Sequence, residues 1–414
     1  MQIDTIKELL NLPAGWLVTK VLSWSMEEIR VLVQESVIGW QRCEGCGWTG
    51  WMGSKGYFKT LVEDLALGTR RVYLHVEHHR YRCKECERSW SLEVPWIRSE
   101  SRVTQRYAEQ VFRLTSITTN AEAGWYLGQD DEKVYRIDKG ILEEKAAQIL
   151  NPTPAAKNIS VDEVSWKKWY RYLTNVVDTD RKKVIWNSNG RKAEVLDKYY
   201  EGIGPENCQK VELVALDGAR TYISSTVSNA PQALIVYDKF HVVQRLNKAV
   251  DAVRKQELRK ARLAKEDDLV DMMNCHSRFV LLKNKANRTE KESDHLKRLC
   301  EINEPIYKAM LLKESFLEVY TNIDETSAAE CLNSWLTQAF ASGLEAFLEL
   351  GVSFRDKAQY ILNWFKKRIS SAISEGINNK IKRLKRMAYG YRDVDYFLLK
   401  IHQHCGLLNP RSAQ

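Results

Sequence analysis

The chain has 414 residues, enough for roughly two to four domains that each bury a core. Hydrophobic residues make up 44% and charged residues 28%, and no run of about 18 apolar residues occurs, which excludes a membrane-spanning helix. Lysine and arginine outnumber aspartate and glutamate by 63 to 54, a basic excess that permits nucleic-acid binding without establishing it. The first residues lack the basic-then-apolar pattern of a signal peptide, so we expect a cytoplasmic protein.

Four of the nine cysteines form two Cys-x-x-Cys pairs, Cys43 with Cys46 and Cys83 with Cys86. An odd total without a signal peptide argues against a disulfide framework. Two such pairs at this separation supply four thiolates for tetrahedral Zn²⁺, and four protein ligands leave no open position for chemistry. We therefore predict a zinc ribbon with a structural zinc in residues 1–98.

The segments around these cysteines have strand patterns. A short helix is predicted at the start of the chain, followed by a strand at Ile29–Ser36 that alternates at period two. Between the cysteine pairs, Arg71–Glu77 and His79–Cys83 are predicted to be two strands of a hairpin.

Residues 99–150 have helical patterns. A helix is predicted over Ser101–Leu114, then a short helix over Ala121–Leu127, a turn at Gly128 and a further helix that begins at Asp130. Helix, glycine turn and helix match a DNA-binding helix-turn-helix, although an ordinary helical hairpin has the same pattern. The residues predicted to contact DNA on the second helix are Lys133, Tyr135, Arg136 and Lys139.

A sheet domain is predicted over residues 155–245, after the linker Asn151–Pro154. Its predicted strands are Ile159–Ser165, Tyr170–Val177, Lys183–Asn187 and the two runs that end at Asp217 and Asp238, with a helix at Lys192–Tyr200. The first three strands can form an antiparallel meander, and the last two enter by crossovers. This order resembles a ribonuclease-H-like domain.

Three predicted strands carry an aspartate at or near their ends: Asp162, Asp217 and Asp238. Ligand sites of open α/β sheets lie at the carboxyl ends of strands, and clustered carboxylates suit Mg²⁺ or Mn²⁺. The alternative is that each aspartate caps the turn or helix that follows it.

The remainder of the chain is predicted to be helical. Residues 246–365 form an insertion in the sheet domain, and its basic segment Val250–Ala264 is either a solvated helix face or a phosphate contact. Residues 366–414 return to the sheet domain with a helix whose apolar stripe comprises Ile369, Ile373, Ile377, Ile381, Leu384 and Ala388. Another face of this helix carries Glu375, Asn379, Lys382 and Arg386 at helical spacing. A carboxylate in line with an amide and two cations suits a helix beside a metal-bound phosphodiester, and the alternative is a surface helix with solvated charges.

Together these motifs resemble the ISL-three family of bacterial insertion-sequence transposases, which have a DDE carboxylate triad. The motifs that carry the resemblance are the cysteine pairs, Val161-Asp162-Glu163, Leu216-Asp217, Tyr237-Asp238-Lys-Phe-His241 and Ser374-Glu375-Gly-Ile-Asn-Asn-Lys-Ile-Lys. The resemblance implies an α+β, multidomain chain whose ribonuclease-H-like sheet domain is interrupted by the helical insertion.

The resemblance also assigns residues. Asp162, Asp217 and Glu375 would be catalytic and bind two Mg²⁺ or Mn²⁺ ions, with Asp238 and His241 in supporting roles. Pairing of Asp162 with Asp238 instead of Asp217 stays open. The resemblance adds Trp335 as a DNA contact, although core packing is an alternative role for this tryptophan. Asn379, Lys382 and Arg386 are predicted DNA contacts because they share a helix face with Glu375.

The implied function is binding of the element's terminal inverted repeats, followed by metal-dependent strand cleavage and strand transfer. The partners would be double-stranded DNA, both element ends and target, and further copies of the chain in a homodimer or larger oligomer. The location would be the bacterial cytoplasm, at the nucleoid. Two alternatives remain: a metal-dependent nuclease on the same fold, and a zinc and helix-turn-helix regulator whose sheet domain is catalytically silent.

Overall fold

The computed structural model describes residues 3–167, 171–367 and 372–413. The chain divides into two compact units, one comprising residues 1–148 with 408–414 and the other residues 149–407. Each unit contains both sheets and helices, so the mixed α+β class predicted from the sequence is confirmed.

The first unit is built on a seven-stranded sheet. The nine strands of this unit, in chain order, are β1 (Trp16–Trp24), β2 (Glu28–Glu35), β3 (Trp40–Arg42), β4 (Thr49–Trp51), β5 (Gly53–Leu67), β6 (Arg70–Arg82), β7 (Ser89–Ser91), β8 (Ile97–Arg98) and β9 (Val103–Thr104). The sheet order is β1-β2-β6-β5-β9-β8 with β7 paired to β6, while β3 and β4 form a separate hairpin. Helix α1 (Ile3–Leu10) precedes β1, as predicted.

One predicted hairpin in this unit is wrong. Arg71–Glu77 and His79–Cys83 are not two paired strands, because β6 runs continuously through almost all of both segments and pairs antiparallel with β5. The single residue between the segments, His78, is not one of the types that favour a turn, so the chain stays extended there. Strand β2 alternates between half-buried and buried residues, which confirms the period-two pattern.

Three helices complete the first unit, and all three were predicted. They are α2 (Gln105–Thr115), α3 (Asn120–Leu127) and α4 (Asp131–Ile149). Thr119 and Glu122 form a reciprocal capping box at the start of α3, and Gly128 ends it in the left-handed region at φ +63°. The chain then enters α4 after only two further residues, so α3 and α4 form a tightly connected helical pair.

The second unit contains the sheet that the sequence predicts. Its strands are β10 (Asn158–Lys167), β11 (Arg171–Asp178), β12 (Lys183–Asn189), β13 (Leu213–Leu216) and β14 (Leu234–Tyr237). The order is β12-β11-β10-β13-β14, with β10, β11 and β12 antiparallel and with β13 and β14 parallel to β10. The connecting helices are α5 (Ala193–Ile203), α6 (Pro205–Cys208) and α7 (Arg220–Asn229).

Helices of a long insertion follow β14. They are α8 (Lys239–Ala264), α9 (Asp267–Met272), α10 (Cys275–Leu282), α11 (Glu290–Ile302), α12 (Glu304–Val319), α13 (Glu325–Ala341), α14 (Glu345–Arg355) and α15 (Ala358–Leu362), with 3₁₀ turns at Lys285–Asn287 and Asn363–Phe365. Helix α8 starts directly after Asp238, so residue 246, the predicted start of the insertion, falls inside this helix. The chain returns to the sheet where Nδ2 of Asn363 donates to the carbonyl of Ile235, 2.8 Å away.

The last two helices close one face of the sheet. They are α16 (Ala372–Met387) and α17 (Val394–Cys405), and a 3₁₀ turn at Pro410–Ala413 follows. The apolar stripe predicted for α16 is present: Ile377, Ile381 and Leu384 are buried against side chains of β10, β11 and β12. Ile369, the first residue of the predicted stripe, lies outside the described residues. Helices α5 and α7 cover the opposite face.

Candidate functional site

Three aspartates occupy equivalent positions on three neighbouring strands. The parallel register pairs the residues that immediately precede Asp162, Asp217 and Asp238 with one another across β10, β13 and β14. Residues in register on adjacent parallel strands have side chains on the same face of the sheet. The three carboxylates therefore form a row across the sheet, which we call the aspartate row.

Asp162 is held by groups from two distant helices. Its Oδ2 accepts a hydrogen bond from Nδ2 of Asn378 on α16 and lies 3.7 Å from Nε2 of His241, in the first turn of α8. Its Oδ1 accepts a hydrogen bond from the backbone N–H of Glu163, 2.7 Å away. The first and last parts of the second unit thus meet at this carboxylate.

The other two aspartates also cap the segments that follow them. Oδ1 of Asp217 accepts from the backbone N–H of Ala219, and Oδ1 of Asp238 accepts from that of Phe240, each at 2.9 Å. Asp238 is the N-cap of α8 and is only 9% exposed, whereas Asp217 is half-buried. The capping interpretation therefore describes both residues, and Asp238 is the more enclosed of the two.

Helix α16 brings Glu375 to this side of the sheet. Oγ of Ser374 donates to Oγ of Ser160 on β10 at 2.7 Å, and Asn378 contacts Asp162 one turn later. These two contacts fix the register of the helix against β10. Glu375 lies between them in sequence and is exposed.

Two pKa shifts show that the site carries excess negative charge. Burial lowers the pKa of His241, but the adjacent carboxylate of Asp162 and the charges of Asp238 and Asp217 raise it overall. Burial and the charge of Asp217 also raise the pKa of Glu163, which stays above its usual value although the nearby Tyr222 hydroxyl lowers it. A cation would relieve this repulsion, and carboxylate oxygens are the ligands that Mg²⁺ and Mn²⁺ prefer.

Sequence reasoning did not single out two residues of this site. Glu163 was noted only as the neighbour of Asp162, and Asn378 only as part of the motif around Glu375. The signal for Glu163 was its position in a predicted strand next to an assigned carboxylate. For Asn378 the signal was the apolar stripe of α16, because at 3.6 residues per turn Asn378 lies closer to the stripe than Asn379 does.

The four cysteines of the paired motifs form a compact cluster in the first unit. Within the described parts of the chain, they are the only group of three or more potential metal ligands whose ligand atoms all lie within 4.8 Å of one another. The carboxylates of the aspartate row and Glu375 therefore do not form such a cluster. The Sγ atoms of Cys43 and Cys86 are 3.6 Å apart, and those of Cys46 and Cys83 are 3.7 Å apart. Tetrahedral zinc with Zn–S bonds of about 2.3 Å requires about 3.8 Å between sulfurs, so the donor set fits zinc.

Each cysteine pair lies in a turn between two antiparallel strands. The first turn joins β3 to β4 and the second joins β6 to β7. Backbone N–H groups of Gly45 and Glu85 approach Sγ of Cys43 and Cys83, both at 3.4 Å. Backbone N–H groups lower the pKa of Cys43 to about 6. The backbone N–H of Trp48 also lowers the pKa of Cys46, but burial and the neighbouring thiols raise it to about 12, so the first thiolate of the cluster forms on Cys43.

Each of the two turns contains one residue whose backbone is in the left-handed region, and this leads to a prediction about stability. Gly47 has φ +77° and Glu87, at the matching position of the second turn, has φ +59°. Because a side chain disfavours this conformation, Glu87→Gly is expected to stabilise the protein by about 0.5–1 kcal/mol. The measurement is the thermal unfolding midpoint of the full chain.

Two further variants test whether relief of left-handed strain is the cause of the expected stabilisation. Glu87→Ala removes only the surface ion pair with Arg82, which contributes about 0–1 kcal/mol, and should not stabilise. Glu85→Gly places the glycine where φ is not left-handed and should be neutral or destabilising. If Glu85→Gly raised the midpoint as much as Glu87→Gly, left-handed strain would not be the cause.

The residues predicted to contact DNA on α4 differ in their availability. Arg136 is exposed and Tyr135 and Lys139 are half-buried. Lys133 is engaged elsewhere, because its Nζ lies 2.6 Å from Oε2 of Glu63, a carboxylate on β5 that is only 5% exposed. On α16, the predicted contacts Asn379, Lys382 and Arg386 are all exposed.

Trp335 is a core residue of the helical insertion. Its side chain is 1% exposed, and its indole N–H donates to the carbonyl of Leu312, 2.7 Å away. The rings of Phe316 and Phe354 lie 4.9 Å and 5.6 Å from its ring centre. The indole is therefore not accessible to a base in this structure, which corrects its assignment as a DNA contact and agrees with the core-packing alternative.

Similar proteins are transposases of insertion sequences. One is the transposase for insertion sequence element IS1001 of Bordetella parapertussis, 30% identical over 347 residues, which cover 82% of this chain and 83% of that protein. Another is the transposase for insertion sequence element IS1557 of Mycobacterium tuberculosis, 25% identical over 377 residues, or 85% of this chain and 83% of the relative.

The family can be stated more narrowly. The family model for ISL-three transposases matches residues 159–401, which is more than half of the chain. The chain therefore belongs to the ISL-three family of insertion-sequence transposases, and the resemblance noted from its motifs is confirmed. The matched region contains the aspartate row, the helical insertion and α16.

None of the helices that the structure describes has the length and apolar character of a membrane span.

Proposed function

We propose that this protein is a DNA transposase that binds the terminal inverted repeats of its insertion sequence and catalyses metal-dependent cleavage and strand transfer. The observation that carries the proposal is the register of the aspartate row, with α16 fixed against β10 so that Glu375 lies on the same side. Both named relatives are transposases for insertion sequences, which supports DNA cutting and joining as the reaction.

The sheet supports a ribonuclease-H-like fold for the second unit. An antiparallel meander of three strands is extended on the side of its first strand by two parallel strands. In this order the first strand is central, and its Asp162 is the lateral neighbour of the aspartate that follows β13. That adjacency favours Asp217 over Asp238 as the second catalytic carboxylate, because Asp238 is one strand farther away and enclosed as a helix cap.

The proposed catalytic residues are Asp162, Asp217 and Glu375, and they would hold two Mg²⁺ or Mn²⁺ ions. Bound there, such ions activate an attacking oxygen and stabilise the leaving oxygen of a phosphodiester. The excess negative charge of the aspartate row is the property of the chain that favours their binding.

The surrounding residues orient the first carboxylate. Asn378 donates to Oδ2 of Asp162, and the backbone N–H of Glu163 donates to Oδ1. His241 places an imidazole whose pKa is raised within 3.7 Å of the same Oδ2, so a proton on this ring would compete with a divalent cation for the carboxylate. Asp238 supports the site by starting α8, the helix that carries His241.

The first unit would recognise the element ends. The four-cysteine cluster would bind a structural Zn²⁺, and α3 and α4 would act as a helix-turn-helix that presents Arg136, Tyr135 and Lys139 to DNA. On α16, Asn379, Lys382 and Arg386 share the exposed face with Glu375 and would contact the phosphates near the cleaved bond. We further propose that the enzyme acts in the bacterial cytoplasm, at the nucleoid, as a homodimer or larger oligomer on paired ends.

The test is a strand-transfer reaction. A labelled duplex that carries the element end is incubated with the full-length protein, a target plasmid and Mg²⁺, and we expect label joined covalently to the plasmid. A duplex with a scrambled terminal repeat is the matched control and should not be joined. Cleavage without joining would instead indicate a nuclease, and specific binding without cleavage under any divalent metal would indicate a regulator.

A further inference from the structure

The aspartate row is the middle and one end of a longer polar stripe. Across the antiparallel strands, Asp162 of β10 is paired with Asn175 of β11, and Asn175 is paired with Asn187 of β12. With Asp217 and Asp238 on the other side, five polar residues in register cross the whole sheet. Sheet interiors are normally apolar, so this stripe needs a chemical reason.

The two asparagines differ in one respect. Nδ2 of Asn187 donates to the carbonyl of Leu398 on α17, 3.0 Å away. Asn175 is 1% exposed, and neither its Oδ1 nor its Nδ2 has a hydrogen-bond partner among the residues that the structure describes. Leaving a buried amide unpaired costs free energy, which argues for a partner in a functional complex.

The register shows where this amide lies. Its neighbours in sequence face α5 and α7, because Thr174 bonds to Tyr222 of α7 and Val176 belongs to the core on that side. Asn175 therefore faces the α16 side, next to Asp162, and side chains of directly paired residues have Cβ atoms about 4.5–5.5 Å apart. It is separated from Asp217 by the strand of Asp162, so it lies behind that carboxylate and not between the two aspartates.

We propose that Asn175 is a positioning residue for the divalent cation: its Nδ2 donates to the carboxylate of Asp162 when that carboxylate binds the cation. The inference rests on the proposed function. A carboxylate that binds a metal through one oxygen is usually fixed by a hydrogen bond to the other, and loss of such a donor typically weakens metal binding by about 10–100-fold. The stripe has two uncharged residues. In the described chain, Asn175 is adjacent to Asp162 and has no hydrogen-bond partner, whereas Asn187 is one strand farther away and is already hydrogen-bonded.

The test measures metal binding and stability together. Full-length, zinc-loaded protein is titrated with Mn²⁺ alone, and uptake is followed by the decrease of the EPR signal of free Mn²⁺. Asn175→Leu keeps the size of the side chain and removes both polar groups. We expect it to weaken Mn²⁺ binding by about 10–100-fold without lowering the thermal midpoint measured in the absence of Mn²⁺.

Asn187→Leu is the matched control, because it removes the same amide from the same stripe two strands away from Asp162. It should lower the thermal midpoint, since the carbonyl of Leu398 loses its donor, and leave Mn²⁺ affinity unchanged. Equal Mn²⁺ affinity of wild type and Asn175→Leu would overturn the inference.

The other possible outcomes of this experiment also test the inference. If Asn175→Leu did not fold, Asn175→Ala, which also removes the donor, would replace it, and unchanged Mn²⁺ affinity of a folded Asn175→Ala protein would reject the positioning role. If wild type bound no more Mn²⁺ than Asp162→Ala, the metal site of the proposed function would fail, and the inference with it. If wild type binds Mn²⁺ and the Asn175 variant binds it equally well, the proposed function stands and only this inference is rejected.

Discussion

Replacing Asp162, Asp217 or Glu375 with alanine is expected to lower the rate of strand cleavage by about 10³-fold or more. Each of these carboxylates would hold a cation at the phosphodiester, and the charge stabilisation that such a cation provides is several kcal/mol, or several powers of ten in rate. Specific binding of the element end should survive each substitution, because the residues proposed to recognise it lie in the other unit. The measurements are single-turnover cleavage of a labelled element end and a binding titration of the same duplex in Ca²⁺.

Asp238→Ala is the matched control for this series, because it removes a carboxylate from the same row. We expect it to keep strand cleavage and to lose about 0.5–2 kcal/mol of stability, since α8 loses its N-cap. Asp238→Ser, which restores a capping oxygen without the charge, should recover most of that stability. Loss of cleavage in Asp238→Ala together with its retention in Asp217→Ala would show that Asp238 is the second catalytic carboxylate.

Removing the metal of the cysteine cluster is expected to have the second large effect. Cys43→Ser should abolish stoichiometric zinc binding and weaken binding of the element end by about 100-fold or more. Structural zinc contributes apparent binding free energies of about 10–16 kcal/mol in small zinc domains, so the two turns are not expected to hold their geometry without it. Zinc content by atomic emission and an element-end binding titration are the two measurements.

Cys331→Ser controls for the loss of a thiol, because Cys331 is a free cysteine on α13, in the other unit. It should retain both zinc and element-end binding. Wild-type protein that contains no zinc after purification in zinc-supplemented medium, or Cys43→Ser protein that binds the end as tightly as wild type, would contradict the structural-zinc hypothesis.

The sequence predicts local features of this protein well. The cysteine pairs, the five strands of the second sheet and the apolar stripe of α16 follow from spacing and periodicity, which are local properties. The prediction of two strands between the cysteine pairs failed because the residues of β6 have a strand pattern throughout, and only the absence of a turn residue shows that they form one strand.

The unpredicted parts depend on contacts between distant segments. That Lys133 is paired with Glu63, about 70 residues away, and that Trp335 is enclosed by α12 and α14 follow from packing that composition does not reveal. Asn175 is the clearest case. Within the strand Arg171–Asp178 it is one of several buried polar residues, and its place beside Asp162 depends on the antiparallel register.

The order in which the sheet is covered has a consequence for synthesis of the chain. Among the residues that the structure describes, those that bury the face formed by Val164, Leu173 and Val184 lie in and between α16 and α17, near the end of the chain. About 180 residues separate β12 from α16, so at about 5–20 residues per second this face waits about 10–40 s on the ribosome before its cover is made. During that interval an apolar sheet surface is open to chaperones and to other nascent chains, and a chain that ends prematurely in the insertion would keep it open permanently.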